Sequence, residues 1–201
     1  MPADGGLGRS PERLALADGE VTLHRNVFGD ARAAALFRAL RHDCAWRQAD
    51  IRLFGRTVRQ PRLTAWYGTR DYTYSGLTWP AQAWPPAFDD IRHVAEAAAG
   101  CAFNGVLANL YRNGRDSMGW HSDDEPELGP TPAITSVSLG AARRFVLRRR
   151  DDRSVKIELE LPGDSLLVMQ GTTQAHWQHA VPKTARPVGP RINLTFRNIL
   201  A

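Results

Sequence analysis

At Gly100 the chain changes rhythm: apolar residues recurring at helical spacing give way to residues that alternate, and the alternation runs on to the C-terminus. A strand turns successive side chains to opposite faces, so a long series of short alternating runs has to bury one face of each against another sheet. The runs are Val106 to Tyr111, Ile134 to Leu139, Arg144 to Arg149, Val155 to Leu161, Ser165 to Met169, His179 to Val181 and Arg191 to Ile199, separated by Gly, Pro and Asp turns. In the cleanest of them Val155, Ile157, Leu159 and Leu161 face one way and Lys156, Glu158 and Glu160 the other. Two helices are expected upstream. One starts at Asp30, read as its N-cap, with Leu36, Phe37 and Leu40 on one stripe. The other spans Ala87 to Ala99, entered at Pro85-Pro86 and left at Gly100, with Phe88, Ile91, Val94, Ala95 and Ala98 on its inner face. The expected class is mainly β with flanking helices, an α+β chain whose helices pack outside a β-sandwich or jelly roll.

The 201 residues and 43% hydrophobic content suit one domain over residues 13–201, after a loose Gly- and Pro-rich tail at residues 1–12. No apolar run approaches the roughly 20 residues needed to cross a bilayer, and MPADGGLGRS lacks the order of a secretory leader, so the expected location is cytoplasmic, away from membranes. Cys44 and Cys101 stand far apart and read as reduced core residues. The net charge of +5 points towards a polyanionic partner, with Arg143, Arg144, Arg148, Arg149, Arg150, Arg153 and Lys156 gathered around one hairpin. Nothing in the sequence calls for an obligate protein partner.

In WHSDDE, His121 and Asp123 lie two residues apart, so extended backbone presents both side chains on one side, within reach of one ion. One carboxylate and two imidazoles occupy a single face of an octahedron and leave the remaining positions open, a ligand set that suits Fe(II). The second imidazole comes from QAHWQHAVP, as His176 or His179. HxD pairs also occur by chance as surface polar residues, so the pair needs this third ligand to mean anything.

The last strand, RINLTFRNI, puts Ile192, Leu194 and Phe196 on one face and Arg191, Asn193, Thr195 and Arg197 on the other. Two guanidiniums and an amide on one strand face would be costly without an anion or water to meet them. A guanidinium fork pairs best with a carboxylate, so a small dicarboxylate is the natural occupant. Asn109 and Tyr111 share a face of an earlier strand and could bind the same carboxylate oxygens. Taken singly, each arginine could form an ordinary salt bridge and Tyr111 could be a core aromatic.

These segments, with YTYSGLTW, NLYRNG, SVSLG and above all the RxNxTFR pattern of PRINLTFRNIL, resemble the AlkB-type DNA and RNA repair dioxygenases from about Pro61 to Leu200. The resemblance implies a double-stranded β-helix, with about 100–201 as jelly-roll core and about 45–85 as a nucleotide-recognition lid. It implies Fe(II) held by His121, Asp123 and His179, with 2-oxoglutarate and dioxygen as co-substrates. Arg191 would grip the distal carboxylate of 2-oxoglutarate, while Asn109, Tyr111, Asn193 and Arg197 would support the co-substrate and metal pocket.

The implied reaction is oxidative demethylation of N-alkylated bases in DNA, of the 1-methyladenine and 3-methylcytosine type, releasing formaldehyde, succinate and carbon dioxide. Alternatives are the same chemistry on RNA, tRNA or a protein side chain, or a silent nucleic-acid-binding module. A methyl on a Watson–Crick nitrogen must leave the stack to reach the metal. The resemblance places Tyr72, Tyr74 and Ser75 in the lid, with Tyr74 stacking the extruded base. Asp124 and Glu125 could accept a hydrogen bond from an exocyclic amine, or form a solvated acidic turn. Phe54 of LFG is either a wedge inserted into the base stack or a core residue before a turn. Arg62, Arg148 and Arg149 are expected phosphate contacts, with a solvated basic face as the plain alternative.

Overall fold

The computed structural model describes residues 10–53, 56–74 and 77–200, with backbone alone for Arg52, Leu53, Arg56, Tyr74 and Leu77. The elements run β1 (Glu12–Leu14), β2 (Glu20–Arg25), α1 (Asp30–Asp43), β3 (Asp50–Leu53), β4 (Arg56–Arg59), β5 (Leu63–Gly68), β6 (Tyr72–Tyr74), β7 (Leu77–Trp79) and α2 (Ala87–Ala99). They continue β8 (Gly105–Tyr111), β9 (Met118–His121), β10 (Ile134–Gly140), β11 (Arg143–Arg149), β12 (Lys156–Leu161), β13 (Ser165–Gln170), α3 (Thr173–His176), β14 (Trp177–Val181) and β15 (Arg191–Arg197).

Among the described residues the strands form a seven-stranded sheet, ordered β1-β2-β13-β10-β15-β8-β5, a four-stranded sheet, ordered β12-β11-β14-β9, and the separate hairpins β3-β4 and β6-β7. From β8 onward the chain crosses between the two large sheets at almost every step, and among the described residues its strands pair antiparallel. That winding is the jelly roll expected from the alternation. Between the sheets lie Leu23, Leu107, Phe145, Leu147, Leu161 and Trp177. The outer face of the larger sheet is covered by α1 and α2, whose Leu36, Leu40, Phe88, Ile91 and Ala95 meet Val106, Ala108, Val137, Leu194 and Phe196. No helix among the described residues is long and apolar enough to cross a membrane.

Four expectations need correction. The jelly-roll sheet is not confined to 100–201, because β2 and β5 extend the larger sheet, and β5 falls inside the stretch assigned to the lid. Both faces of β5 are covered, so its sequence carries no alternation to betray it. Asp30 is the first helical residue of α1 and not its cap. Gly29 holds the cap position at φ 79°, and the carboxylate of Asp164 accepts the backbone N–H groups of Phe28 and Gly29 at 2.8 Å each. Cys101 is exposed, whereas Cys44 is buried. Val155 precedes β12 and is exposed, so only the later apolar residues of that run turn inward.

Candidate metal centre

His121 ends β9 and His179 sits opposite it on β14, which brings the two ring centroids to 4.1 Å. Asp123 follows just beyond β9, where the turn is pinned twice. Gln174 Oε1 accepts the Asp123 backbone N–H at 2.9 Å, and Ser122 Oγ donates to the Trp177 carbonyl at 2.9 Å. One ligand atom from each of His121, Asp123 and His179 lies within 4.8 Å of the other two. His176, at the end of α3, is not in this group, so His179 is the imidazole the fold supplies.

The state of these groups suits a cation. A carbonyl oxygen can only accept, so the 2.9 Å contact from His121 Nδ1 to Gly119 O puts the proton on Nδ1 and leaves Nε2 for a metal. Burial pushes His179 down to about 3, with a further push from His121, and burial also lowers His121; both imidazoles are therefore neutral, as ligands must be. Burial alone would raise the Asp123 carboxyl, but the charge of the Arg197 guanidinium opposes it and the group stays below its ordinary value. Oδ1 of Asp123 accepts from Arg197 Nη2 at 2.9 Å. Oδ2 is buried with no hydrogen-bond partner among the described residues and lies 3.6 Å from His179 Nε2. A buried carboxylate oxygen left over beside two neutral imidazoles is what a divalent ion would complete.

The cavity beside this triad lies between the sheets and is walled by both of the strands singled out in the sequence. Asn109 and Tyr111 face it from β8, and Arg191, Asn193, Thr195 and Arg197 from β15. Arg191 is 1% exposed, with Cζ 5.2 Å from the centroid of the Tyr111 ring. Its Nη2 donates to Ser138 Oγ at 2.8 Å, while Nε and Nη1 are buried without a hydrogen-bond partner among the described residues. Burial pushes this guanidinium down to about 10, so it remains cationic at neutral pH. A buried cation with two unused donors fits a carboxylate end of 2-oxoglutarate.

Several residues serve differently from the sequence expectation. Arg62 is 3% exposed and gives its Nε–H to Asn109 Oδ1 at 2.7 Å, so it is buried beside the cavity and not on a surface that meets phosphate. Tyr72, expected in the lid, is buried and stacked on Trp66 at 4.6 Å, and its hydroxyl accepts from Arg197 Nη1 at 2.8 Å, so it props the metal site. Arg149 is held by Asp18 and Asp151. Arg148 lies over Trp120, 4.1 Å from the ring centroid, and donates to Gln178. Arg143 is buried and donates to the carbonyls of Asn113, Asp116 and Pro182, which removes it from the basic hairpin surface. Asp124 pairs with Arg150 at 2.6 Å on the surface. Glu125 is partly buried, and burial, then Asp123, raises its carboxyl above the usual range. Phe54 and Ser75 lie outside the described residues, and only the backbone of Tyr74 is described.

The sequence reading missed Gln174, Phe145 and Met169. Phe145 stacks on His179 with centroids 5.4 Å apart and, with Met169, lines the cavity. Phe145 and Met169 reach the site through sheet pairing with distant segments and Gln174 through the packing of α3, for which one sequence carries no signal. Leu107, also in the lining, was legible: it shares the strand face of Asn109 and Tyr111.

A jelly roll whose two sheets enclose a His-Asp-His triad and a buried arginine defines a metal-dependent oxygenase architecture, and residues 20–197 match the family model of the 2OG-Fe(II) oxygenase superfamily. The chain belongs to that superfamily. Within it the relatives are AlkB-type, and so is this chain. It is 44% identical over 176 residues to alpha-ketoglutarate-dependent dioxygenase alkB homolog 3 of Bos taurus, covering 83% of this chain and 62% of that one. It is 38% identical over 214 residues to DNA oxidative demethylase ALKBH2 of Mus musculus, covering 99% of this chain and 90% of that one. The chain thus spans about three fifths of the alkB homolog 3 length and nearly all of ALKBH2. The solved structure of OsALKBH1, at 16% identity and a TM-score of 0.62 over 93% of this chain and 100% of that one, shares the fold.

Proposed function

We propose that this chain is an iron(II)- and 2-oxoglutarate-dependent dioxygenase that oxidatively demethylates N-alkylated bases of DNA, of the 1-methyladenine and 3-methylcytosine type. The observation that carries the reading is the pair of unused donors on buried Arg191, in the cavity that also holds the His121, Asp123 and His179 ligand atoms. His121, Asp123 and His179 would hold the iron, and Arg191, Tyr111 and Asn109 would hold the keto acid. When bound, iron supplies the redox chemistry by which dioxygen converts 2-oxoglutarate to succinate and carbon dioxide and an N-methyl group to a hydroxymethyl group, lost as formaldehyde.

The protein's own contribution is placement. Arg197 keeps Asp123 ionised and, through Tyr72, ties the metal ligand to the β6-β7 hairpin. Phe145, Met118 and Met169 supply apolar wall that keeps water from the reacting groups. DNA is favoured as substrate by the likeness to a DNA oxidative demethylase over nearly the whole chain and by the net charge of +5.

The test is turnover on oligonucleotides carrying 1-methyladenine or 3-methylcytosine, single-stranded and duplex, with matched RNA. Formaldehyde and succinate should appear in step with loss of the methyl group, and faster on DNA. Turnover confined to RNA would transfer the reading to that polymer; iron-replete protein that consumes no 2-oxoglutarate with any of them would end it.

A further inference from the structure

Arg62 is a buried cation that the mechanism above does not use. It makes no ion pair among the described residues, and its one hydrogen bond there is from Nε to Asn109 Oδ1 at 2.7 Å. Bonded to a neutral amide, the guanidinium keeps a positive charge that an anion can meet. Asn109 faces the cavity, so the anion can come from there.

The bond also fixes which end of Asn109 faces the ligand. A guanidinium only donates, so the atom it meets must be the amide oxygen. The NH2 end of Asn109 is thereby left for the cavity, and it makes no hydrogen bond among the described residues. Asn193, its register partner on β15, is used the opposite way. The NH2 group of Asn193 donates to Ser136 Oγ at 2.7 Å and to the Val137 carbonyl at 3.1 Å, and its oxygen accepts from Thr195 Oγ1 at 3.3 Å. Of two asparagines side by side on the cavity wall, one spends its donors on the sheet and the other is set to offer them.

We propose that Arg62 is a positioning residue for the co-substrate: it holds the Asn109 amide with its NH2 group turned towards the bound keto acid, whose negative charge in turn offsets the buried guanidinium. The inference rests on the reading of the cavity as a 2-oxoglutarate site. Without Arg62 the amide is able to flip and present an oxygen, which repels a carboxylate or keto oxygen.

The test is the affinity of the full chain for 2-oxoglutarate by calorimetry, without oxygen and with Mn(II) in place of iron, in wild type, Arg62→Met, Asn109→Ala and the double variant. Loss of one charge-assisted hydrogen bond corresponds to about a tenfold weakening, and Arg62→Met should show it while binding Mn(II) as wild type does. In the Asn109→Ala background the same substitution should cost clearly less affinity, because the part carried through the amide is gone and only the attraction between the guanidinium and the anion is left. Asn109→Asp keeps an acceptor for Arg62 but turns an oxygen to the cavity, and should bind at least as weakly as Asn109→Ala. Equal losses from Arg62→Met in both backgrounds, unchanged affinity in Arg62→Met, or wild-type affinity in Asn109→Asp would each overturn the proposal. If Arg62→Met does not fold, Arg62→Lys and Arg62→Gln carry the same cycle, with Gln expected to be the weaker binder. Wild type that binds no 2-oxoglutarate would count against the site itself; wild type that binds while the cycle fails would sink this inference alone.

Discussion

Arg197 Nη2 and Asp123 Oδ1 are joined by a 2.9 Å hydrogen bond in which both side chains are 2% exposed. The final strand of the jelly roll thus sets the charge of a residue that belongs, by sequence, to the far end of the site. Removing one member of a buried ion pair leaves an uncompensated charge and costs about 3–5 kcal/mol. Arg197→Met should therefore lower the unfolding free energy of metal-free protein by about that amount in urea titrations. Saturating Mn(II) should recover part of the loss, since the ion takes over as counter-charge to Asp123. Equal loss with and without Mn(II) would mean that the arginine serves the fold alone.

The approach to β9 is braced by a second acid. Asp116 accepts from the Arg112 backbone N–H and Nε at 2.8 Å each and from Nη2 at 2.9 Å. Burial alone would raise its pKa, but the Arg112 bonds prevail and hold it below the ordinary carboxylate value. A carboxyl depressed in the folded state contributes stability above its unfolded pKa, and that contribution is lost as pH falls through the folded one. Asp116→Asn should be less stable than wild type by about 1–3 kcal/mol at pH 7. The gap should narrow below about pH 4, near the unfolded carboxyl value. Denaturant midpoints of the two proteins across pH 3–7 check it, and parallel curves would refute the assignment.

How far the site was legible depended on whether its parts are local. In β15 the alternation of Arg191, Asn193, Thr195 and Arg197 with Ile192, Leu194 and Phe196 separates cavity from core, and the structure keeps that division. The α2 helix was readable because Pro86 and Gly100 bracket an amphipathic stretch. Strand β5 was not, since it is covered on both sides and its sequence carries no alternation. Arg62 was misread for a related reason. Its residue type suits phosphate contact, and only the tertiary fold turns it inward, onto Asn109.

Gly105 opens β8 opposite Arg197 and Gly68. A methyl group there would press into the Trp66 ring, with Cζ2 at 2.8 Å, and Trp66 is fully buried against Tyr72. Overpacking of this kind costs about 1–3 kcal/mol. For a chain of this size Gly105→Ala should lower Tm by about 2–4 °C per kcal/mol lost. Because Trp66 stacks on the tyrosine that holds Arg197, the same variant should weaken Mn(II) binding. A calorimetric scan with unchanged Tm would show that the ring has room to shift.

Arg191 supplies the prediction with the least expected sign. A guanidinium 1% exposed with two donors unsatisfied works against the fold when the cavity holds no anion. Arg191→Met removes those donors and keeps much of the apolar stem, so without co-substrate it should be more stable than wild type, by about 1–3 kcal/mol. Its affinity for 2-oxoglutarate should fall by about 100-fold, since a charged, two-pronged contact is lost. With 2-oxoglutarate at about 100 times its wild-type dissociation constant, in the presence of Mn(II), binding adds about 2.7 kcal/mol to the wild type and much less to the variant. The order of the two melting temperatures should therefore narrow or reverse on adding the keto acid. A variant less stable than wild type in both conditions would mean that the Arg191 contacts to Ser138 and Tyr111 already satisfy the charge. The case for an anion at the end of this cavity would then rest on the remaining donors alone.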